Sequence, residues 1–210
     1  MTHHQHFEGT IEITGSGTVS VAPDEANIQL SVITEGKTAA EATARNADRA
    51  DAVVKAVSDQ PNHGVTTSGL GVQPIMRYDQ ETGTTEITGY RASNTVSVKT
   101  KPGYAGQSYD AGVKAGANES SGISFRVQNE QPHRDEALRI AVKNAFAEAG
   151  VVAETANMKL EGPETITIDP TGGSVFYRAE AVRVGAPETP VIPGDIAISA
   201  SVRIIFRARR

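Results

Sequence analysis

Between Gly89 and Val98 the chain reads GYRASNTVSV, and this stretch constrains the fold more than any other. Tyr90, Ala92, Val96 and Val98 recur at period two, with Arg91, Ser93, Thr95 and Ser97 between them. That alternation belongs to a long strand with one face in a core and one polar face. Asn94 is the odd member of the inward set, so its amide is expected to find a partner there. The segments on either side then have to supply hairpin partners and covering helices.

Taken in order, Ile11, Ile13, Val19 and Val21 alternate along a strand from about Gly9 to Ala22, with Gly15 and Gly17 on the same face. Paired glycines on an inward face mark a bulge or the close approach of a helix. Pro23-Asp24 makes a turn, and Ile28, Leu30 and Val32 alternate along a second strand, so an antiparallel hairpin is expected. Thr38 and Glu41 form a capping box. It opens a helix whose apolar stripe is read as Ala40, Ala44, Ala47, Ala50, Val54 and Val57, with Arg45, Asp48, Arg49 and Lys55 in solvent. Such an alanine stripe suits the glycines of the first strand.

Leu70, Val72, Met76 and Tyr78 alternate along a third strand, which Pro74 assigns to an edge or a bulge. Polar turn residues from Asp79 to Gly83 lead back through Ile87 into the central strand. Tyr104 to Ala117 reads as a glycine-rich helix that only tertiary packing can hold, with Asn118 taking a left-handed cap. A strand follows through Ile123, Phe125 and Val127. Pro132 opens a third helix carrying Leu138, Ala141, Val142, Ala145, Ala149, Val152 and Ala156, in which Gly150 is a weak point and Asn157 the cap. Leu160 and Ile166/Ile168 form a strand, Pro170 to Gly173 a turn, Val175 to Val184 an ambivalent strand, and Pro187, Pro190 and Pro193 a stiff loop. Ile196 to Phe206 closes the chain with clean alternation. The order β-β-α-β-β-α-β-α-β-β-β, with hairpin connections, predicts an α+β fold: antiparallel sheet with about three helices packed on one face.

Several of these strings resemble one family. TSGLGVQP followed by GYRASNTVSV, then SSGISFRV, and finally PGDIAISASVRIIF are similar to the SIMPL-domain family of bacterial periplasmic immunogenic and oxidative-stress-defence proteins. The resemblance runs from about Ile11 to Phe206 and is weakest from Gly162 to Thr189. It implies a SIMPL-like domain over 9–210 behind a disordered tail over 1–8, with two α+β subdomains dividing near residue 101 as the variant arrangement. It also implies a stress or envelope role, and members that assemble. Tyr90, Arg91, Ser93 and Asn94 sit in the most family-like string. The plain reading of them is packing for Tyr90 and surface pairing for Arg91.

Chemistry is hard to find in the residues. Cysteine is absent, which removes disulfides, thiolate catalysis and zinc–thiolate sites. The five histidines are three in the N-terminal tail, His63 in a loop and His133 at a helix start, with no metal-ligand spacing in the body. No serine stands in a nucleophile elbow. Gly15-Ser16-Gly17 lacks the third glycine of a dinucleotide fingerprint, and Gly36-Lys37-Thr38 lacks the first glycine of a phosphate loop. The reading is therefore no catalytic, cofactor or metal residue, and an enzyme is the less favoured class. A net charge of -5 and an aromatic content of 5% disfavour nucleic acid as a partner.

Two classes stay open. One is a non-catalytic homo-oligomer that self-associates through strand edges and the hairpin from about Ser68 to Thr100, with Met76 and Tyr78 as candidate interface residues. The other is a small-ligand binder or enzyme whose site is assembled from distant residues. No run is long and apolar enough for a transmembrane segment. MTHHQHFEGT is not a secretory signal, so the chain reads as cytoplasmic as it stands, or as periplasmic or exported if it is a mature fragment.

Overall fold

Alternating and stripe-forming segments become eight strands and three helices in the computed structural model, which describes residues 8–81, 83–168, 176–178 and 189–210. In order these are β1 (Glu8–Val21), β2 (Glu25–Gly36), α1 (Ala39–Ser58), β3 (Gly64–Tyr78), β4 (Thr85–Thr100), α2 (Ala105–Lys114), β5 (Glu119–Arg126), α3 (Gln131–Thr155), β6 (Lys159–Ile168), β7 (Phe176–Arg178) and β8 (Asp195–Arg209). The expected order and the α+β class both hold. The N-terminal tail and the turn at Pro170–Gly173 lie outside the described residues. So do most of the Val175–Val184 strand and the start of the proline loop.

The chain forms two compact units. One comprises Met1–Ala22, Val127–Ala179 and Gly194–Arg210; the other comprises Pro23–Arg126 and Glu180–Pro193, so Lys101 lies inside the second. In the first unit the sheet order is β1-β8-β6, with β7 also paired to β8, all antiparallel. Here the glycines of β1 meet a helix. A Cβ on Gly15 would stand 2.2 Å from the Ala141 carbonyl oxygen, and one on Gly17 would stand 2.1 Å from that of Ala137. The helix is α3, whose buried stripe is Ala137, Ala141, Ala145, Ala149 and Ala153. Small residues on both surfaces let backbone lie against backbone, and Ile11, Val202, Ile204 and Phe206 complete that core. The glycines therefore belong to α3, not to the alanines of α1.

The expected β1–β2 hairpin does not form. β1 pairs with β8 along its whole length, Glu8 opposite Arg209 through Val21 opposite Ile196, while β2 pairs with β4 and β5 in the other unit. Alternation marks both strands but carries no information on their partners.

In the second unit the order is β3-β4-β2-β5, so the central GYRASNTVSV segment does lie inside a sheet. Ile28, Leu30, Val32, Val96 and Val98 form its core with Val53 and Val57 of α1 and Ala105 of α2. The α1 cap forms at Thr38 as expected, with the return bond from Glu41 reaching one residue further back. Thr38 Oγ1 accepts from Glu41 N–H at 3.2 Å, and the Glu41 carboxylate accepts from Lys37 N–H at 3.0 Å. The helix is, however, rotated from the expected phase: it buries Ala42, Asn46, Ala50, Val53 and Val57, Val54 is half-buried and Ala47 faces solvent. Asn46 fixes that rotation, since its amide donates to the carbonyls of Val32 (2.7 Å) and Ala92 (3.2 Å) on neighbouring strands. α2 is held as its glycines required: Gly112 lies against Leu30 and Gly106 against the Thr189 carbonyl.

The ends of α2 and α3 follow one device. In α3, Asn157 adopts φ 52°, Met158 N–H donates to Ala153 O and Asn157 N–H to Glu154 O. In α2 the same pair of bonds closes around Gly116 at φ 121°. Asn118 is therefore not the left-handed cap. Its side chain instead accepts from Ile33 N–H and donates to Ile33 O, both at 2.8 Å, pairing the edge of β2 as a strand residue would.

Candidate functional site

β2 stops pairing with β4 at Gly36 opposite Tyr90, whereas β3 continues alongside β4 as far as Tyr78 opposite Thr85. Residues 75–89 therefore form a two-stranded arm beyond the four-stranded sheet. An isolated two-stranded ribbon is marginal in water unless something covers an apolar face. This one has such a face. Val72 is opposite Ala92 and Met76 opposite Ile87, and a one-residue bulge at Thr88 brings Ile87 round to the Met76 side. Leu70 is 72% exposed, Met76 63%, Tyr78 62% and Ile87 56%. Arg77 and Glu86 face each other on the opposite side of the ribbon.

The arm is built to persist. Asp79 accepts from Glu81 N–H through its carboxylate at 2.8 Å and from Gly83 N–H through its carbonyl at 2.9 Å. Gly83 at φ 68° supplies the left-handed corner. At its base Gly89 passes close over the end of β2, where a Cβ would lie 3.0 Å from the Gly36 carbonyl. Thr88 Oγ1 donates to Ile75 O at 3.2 Å across the bulge. β3 is an edge strand, as Pro74 indicated, and its register shifts twice, between Ser68 and Gly71 and between Ile75 and Met76. These irregularities spoil a continuous ladder on its outer edge.

The residues of the family-like string sit at the root of the arm. Tyr90 is half-buried opposite Pro74. Arg91 lies on the outer face and donates from Nε (3.2 Å) and Nη2 (2.9 Å) to one Glu35 carboxylate oxygen. Ser93 Oγ donates at 3.5 Å to the carbonyl of Gly69, which itself sits at φ 64°. Asn94 has its amide oxygen buried without a hydrogen-bond partner, contrary to expectation. Nothing brings these four together around a common point.

Two polar features escaped the sequence reading. Glu25 is buried and ion-paired with Arg126, its cross-strand neighbour. Asp110 on α2 accepts from Thr189 Oγ1 (2.5 Å) and Thr189 N–H (3.0 Å), and these bonds lower its pKa below the ordinary carboxylate value. A helical Asp followed by a distant Thr leaves no sequence signal. His63 stands in an exposed loop and His133 in the first turn of α3. Among the described residues, no three His, Cys, Asp or Glu side chains are grouped to hold a metal ion, and no helix is long and apolar enough to cross a membrane. The hollow at the arm tip, lined by Arg77, Tyr78, Asp79, Gln80, Glu81 and Glu86, is polar and open.

The class so defined is a two-unit α+β protein whose most distinctive surface is an apolar arm. Within that class the chain belongs to the SIMPL family, described as a protein of unknown function (DUF541), whose model matches residues 11–206. It is 27% identical over 211 residues to the 26 kDa periplasmic immunogenic protein of Brucella melitensis biotype 1, covering 95% of this chain and 84% of that one. It is also 27% identical over 188 residues to the uncharacterized protein YggE of Escherichia coli K12, covering 85% and 75%. Among solved structures, a Bacillus cereus protein related to NIF3 aligns over 53% of this chain and 29% of its own, with 18% identity and a TM-score of 0.29. So slight a likeness bears on neither fold nor function.

Proposed function

We propose that this chain is a non-catalytic, self-associating member of the SIMPL family, acting in the cell envelope in defence against stress, with the β3–β4 arm as its contact surface. The observation that carries the reading is the arm itself. Its apolar side chains are exposed on a ribbon that has no layer over it among the described residues. Exposed contiguous apolar surface of this kind marks an interaction site. Removing it from water contributes about 25 cal/mol per Å². Pro74 and the register shifts of β3 favour side-chain packing around Met76 and Tyr78 over a continuous intermolecular sheet. The envelope setting rests on the name of the Brucella relative and the stress role on the family resemblance.

Light scattering over a range of concentrations tests the reading. The expected wild-type mass is a multiple of one chain. In the Met76→Asp, Tyr78→Asp double variant it falls toward the mass of a single chain, because two carboxylates would have to be desolvated in the contact. A wild type that stays at single-chain mass sinks the proposal, and an oligomer indifferent to the two substitutions places the contact elsewhere.

A further inference from the structure

The first unit carries a second uncovered apolar surface. Ile166 and Ile168 on β6 lie opposite Ile204 and Val202 on β8 and so share their face. Ile204 and Val202 are fully buried in the α3 core, yet Ile166 is 51% and Ile168 56% exposed. The cause is where α3 sits. Its alanine stripe is drawn down onto Gly15 and Gly17 of β1, which centres the helix over β1 and β8; Leu160 at the start of β6 still packs on that core, but Ile166 and Ile168 at its end are left uncovered. Phe146 flanks the stripe, exposed on one side, and packs edge-to-face on Phe206 with ring centroids 5.0 Å apart. The result is a channel with α3 as one wall, Val202 and Ile204 at its inner margin and the two isoleucines as its floor.

We infer that this channel receives the β3–β4 arm of a second copy of the chain. The inference rests on the self-association reading and adds the surface the arm meets. The space above an edge strand beside a packed helix is one layer high, about 10 Å, which is also the spacing at which two sheets pack face to face. A two-stranded ribbon is about 10 Å wide, has that thickness and needs one apolar face. The arm has that face in Met76, Tyr78 and Ile87, and Val72 and Leu70 continue it at the root of the arm. Together these expose roughly 500 Å² of apolar surface, enough for the centre of an interface to which each partner contributes about 800 Å². Edge-to-edge pairing is the poorer geometry, because Pro163 and two register shifts interrupt β6 just as Pro74 and two shifts interrupt β3. Each copy offers one arm and one channel, so the contact is between unlike surfaces and closes as a reciprocal pair or a ring, or extends as a chain.

The absence of cysteine makes the test direct. Single variants Met76→Cys, Tyr78→Cys, Ile166→Cys and Ile168→Cys place thiols at exposed positions of the full chain, and pairs are mixed and oxidised. An arm variant mixed with a channel variant is expected to form a mixed two-chain disulfide at least about tenfold faster than either forms a homodimer, because assembly raises the effective thiol concentration. Rapid Met76→Cys homodimers would instead show arms meeting arms, and overturn the inference while leaving self-association intact. Assembly without any arm–channel crosslink would overturn it too. As a second readout, a folded Ile166→Asp, Ile168→Asp variant is expected to lose assembly, and retention of wild-type mass contradicts the channel's role. A wild type of single-chain mass at every concentration defeats the self-association reading itself.

Discussion

Gly15 and Gly17 show how much a single absent atom can determine. With a Cβ 2.2 or 2.1 Å from a carbonyl oxygen of α3, no side-chain rearrangement relieves the clash, so either the helix lifts or the strand bends. Gly15→Ala is therefore expected to cost about 3 kcal/mol, the upper end of ordinary overpacking. Denaturant unfolding checks this, and an unchanged midpoint would contradict the backbone-to-backbone packing. The glycine pair was legible as a bulge or a site of close approach, and the unbroken register of β1 on β8 leaves the second. Asn46 was not legible. A helix reading sorts residues by apolarity and so favours Ala47, but the sheet here offers two carbonyls that an amide can bond. A polar residue with buried partners outweighs the small apolar gain of an alanine. The motif residues divide the same way: Arg91 pairs on the surface with Glu35, while the buried Asn94 oxygen has no partner to explain it.

At the scale of elements, periodicity gave each strand and helix but not its neighbour. β1 and β8 alternate plainly, yet nothing local says that the first strand pairs with the last, and the Pro23-Asp24 turn argued for the wrong hairpin. By contrast the arm is a local hairpin, and its strands, turn and irregular edge could all be read from Leu70 to Gly89. The stretch through Thr189 and Val191 is another element whose placement depends on distant partners. Val191 packs on the core of the second unit, the Thr189 carbonyl fits over Gly106, and Asp110 accepts two bonds from Thr189. Those bonds, the side-chain one foremost, hold the Asp110 pKa below its ordinary 3.8. A carboxylate with a depressed folded pKa contributes stability that is present above 3.8 and lost as pH falls through the lower folded value. The strap is thus expected to loosen only in strong acid, as followed by the amide resonance of Thr189, and Asp110→Asn should abolish that acid transition. A transition unchanged in the variant would show that another group controls the strap.

For the whole molecule, the decisive feature is that helices cover the sheets incompletely. α1 and α2 cover the sheet of the second unit only to the level where β2 ends, and α3 covers β1, β8 and the start of β6 but not its Ile166–Ile168 end. The two uncovered faces are the apolar surfaces proposed above to meet in assembly. The ordered polar turn of the arm, with its Asp79 bonds and Gly83 corner, argues that the ribbon is kept in shape for a purpose the isolated chain does not use. Shortening the arm is the most direct measurement. Deleting Met76–Thr88 and joining Ile75 to Gly89 through Asn-Gly would leave a tight hairpin turn at the level where β2 also stops. Sedimentation velocity of the full and shortened chains, each checked for cooperative unfolding, then gives the answer. The expected result is an assembling full chain and a folded, shortened chain that sediments as one copy at every concentration; a folded, shortened chain that still assembles would contradict the account.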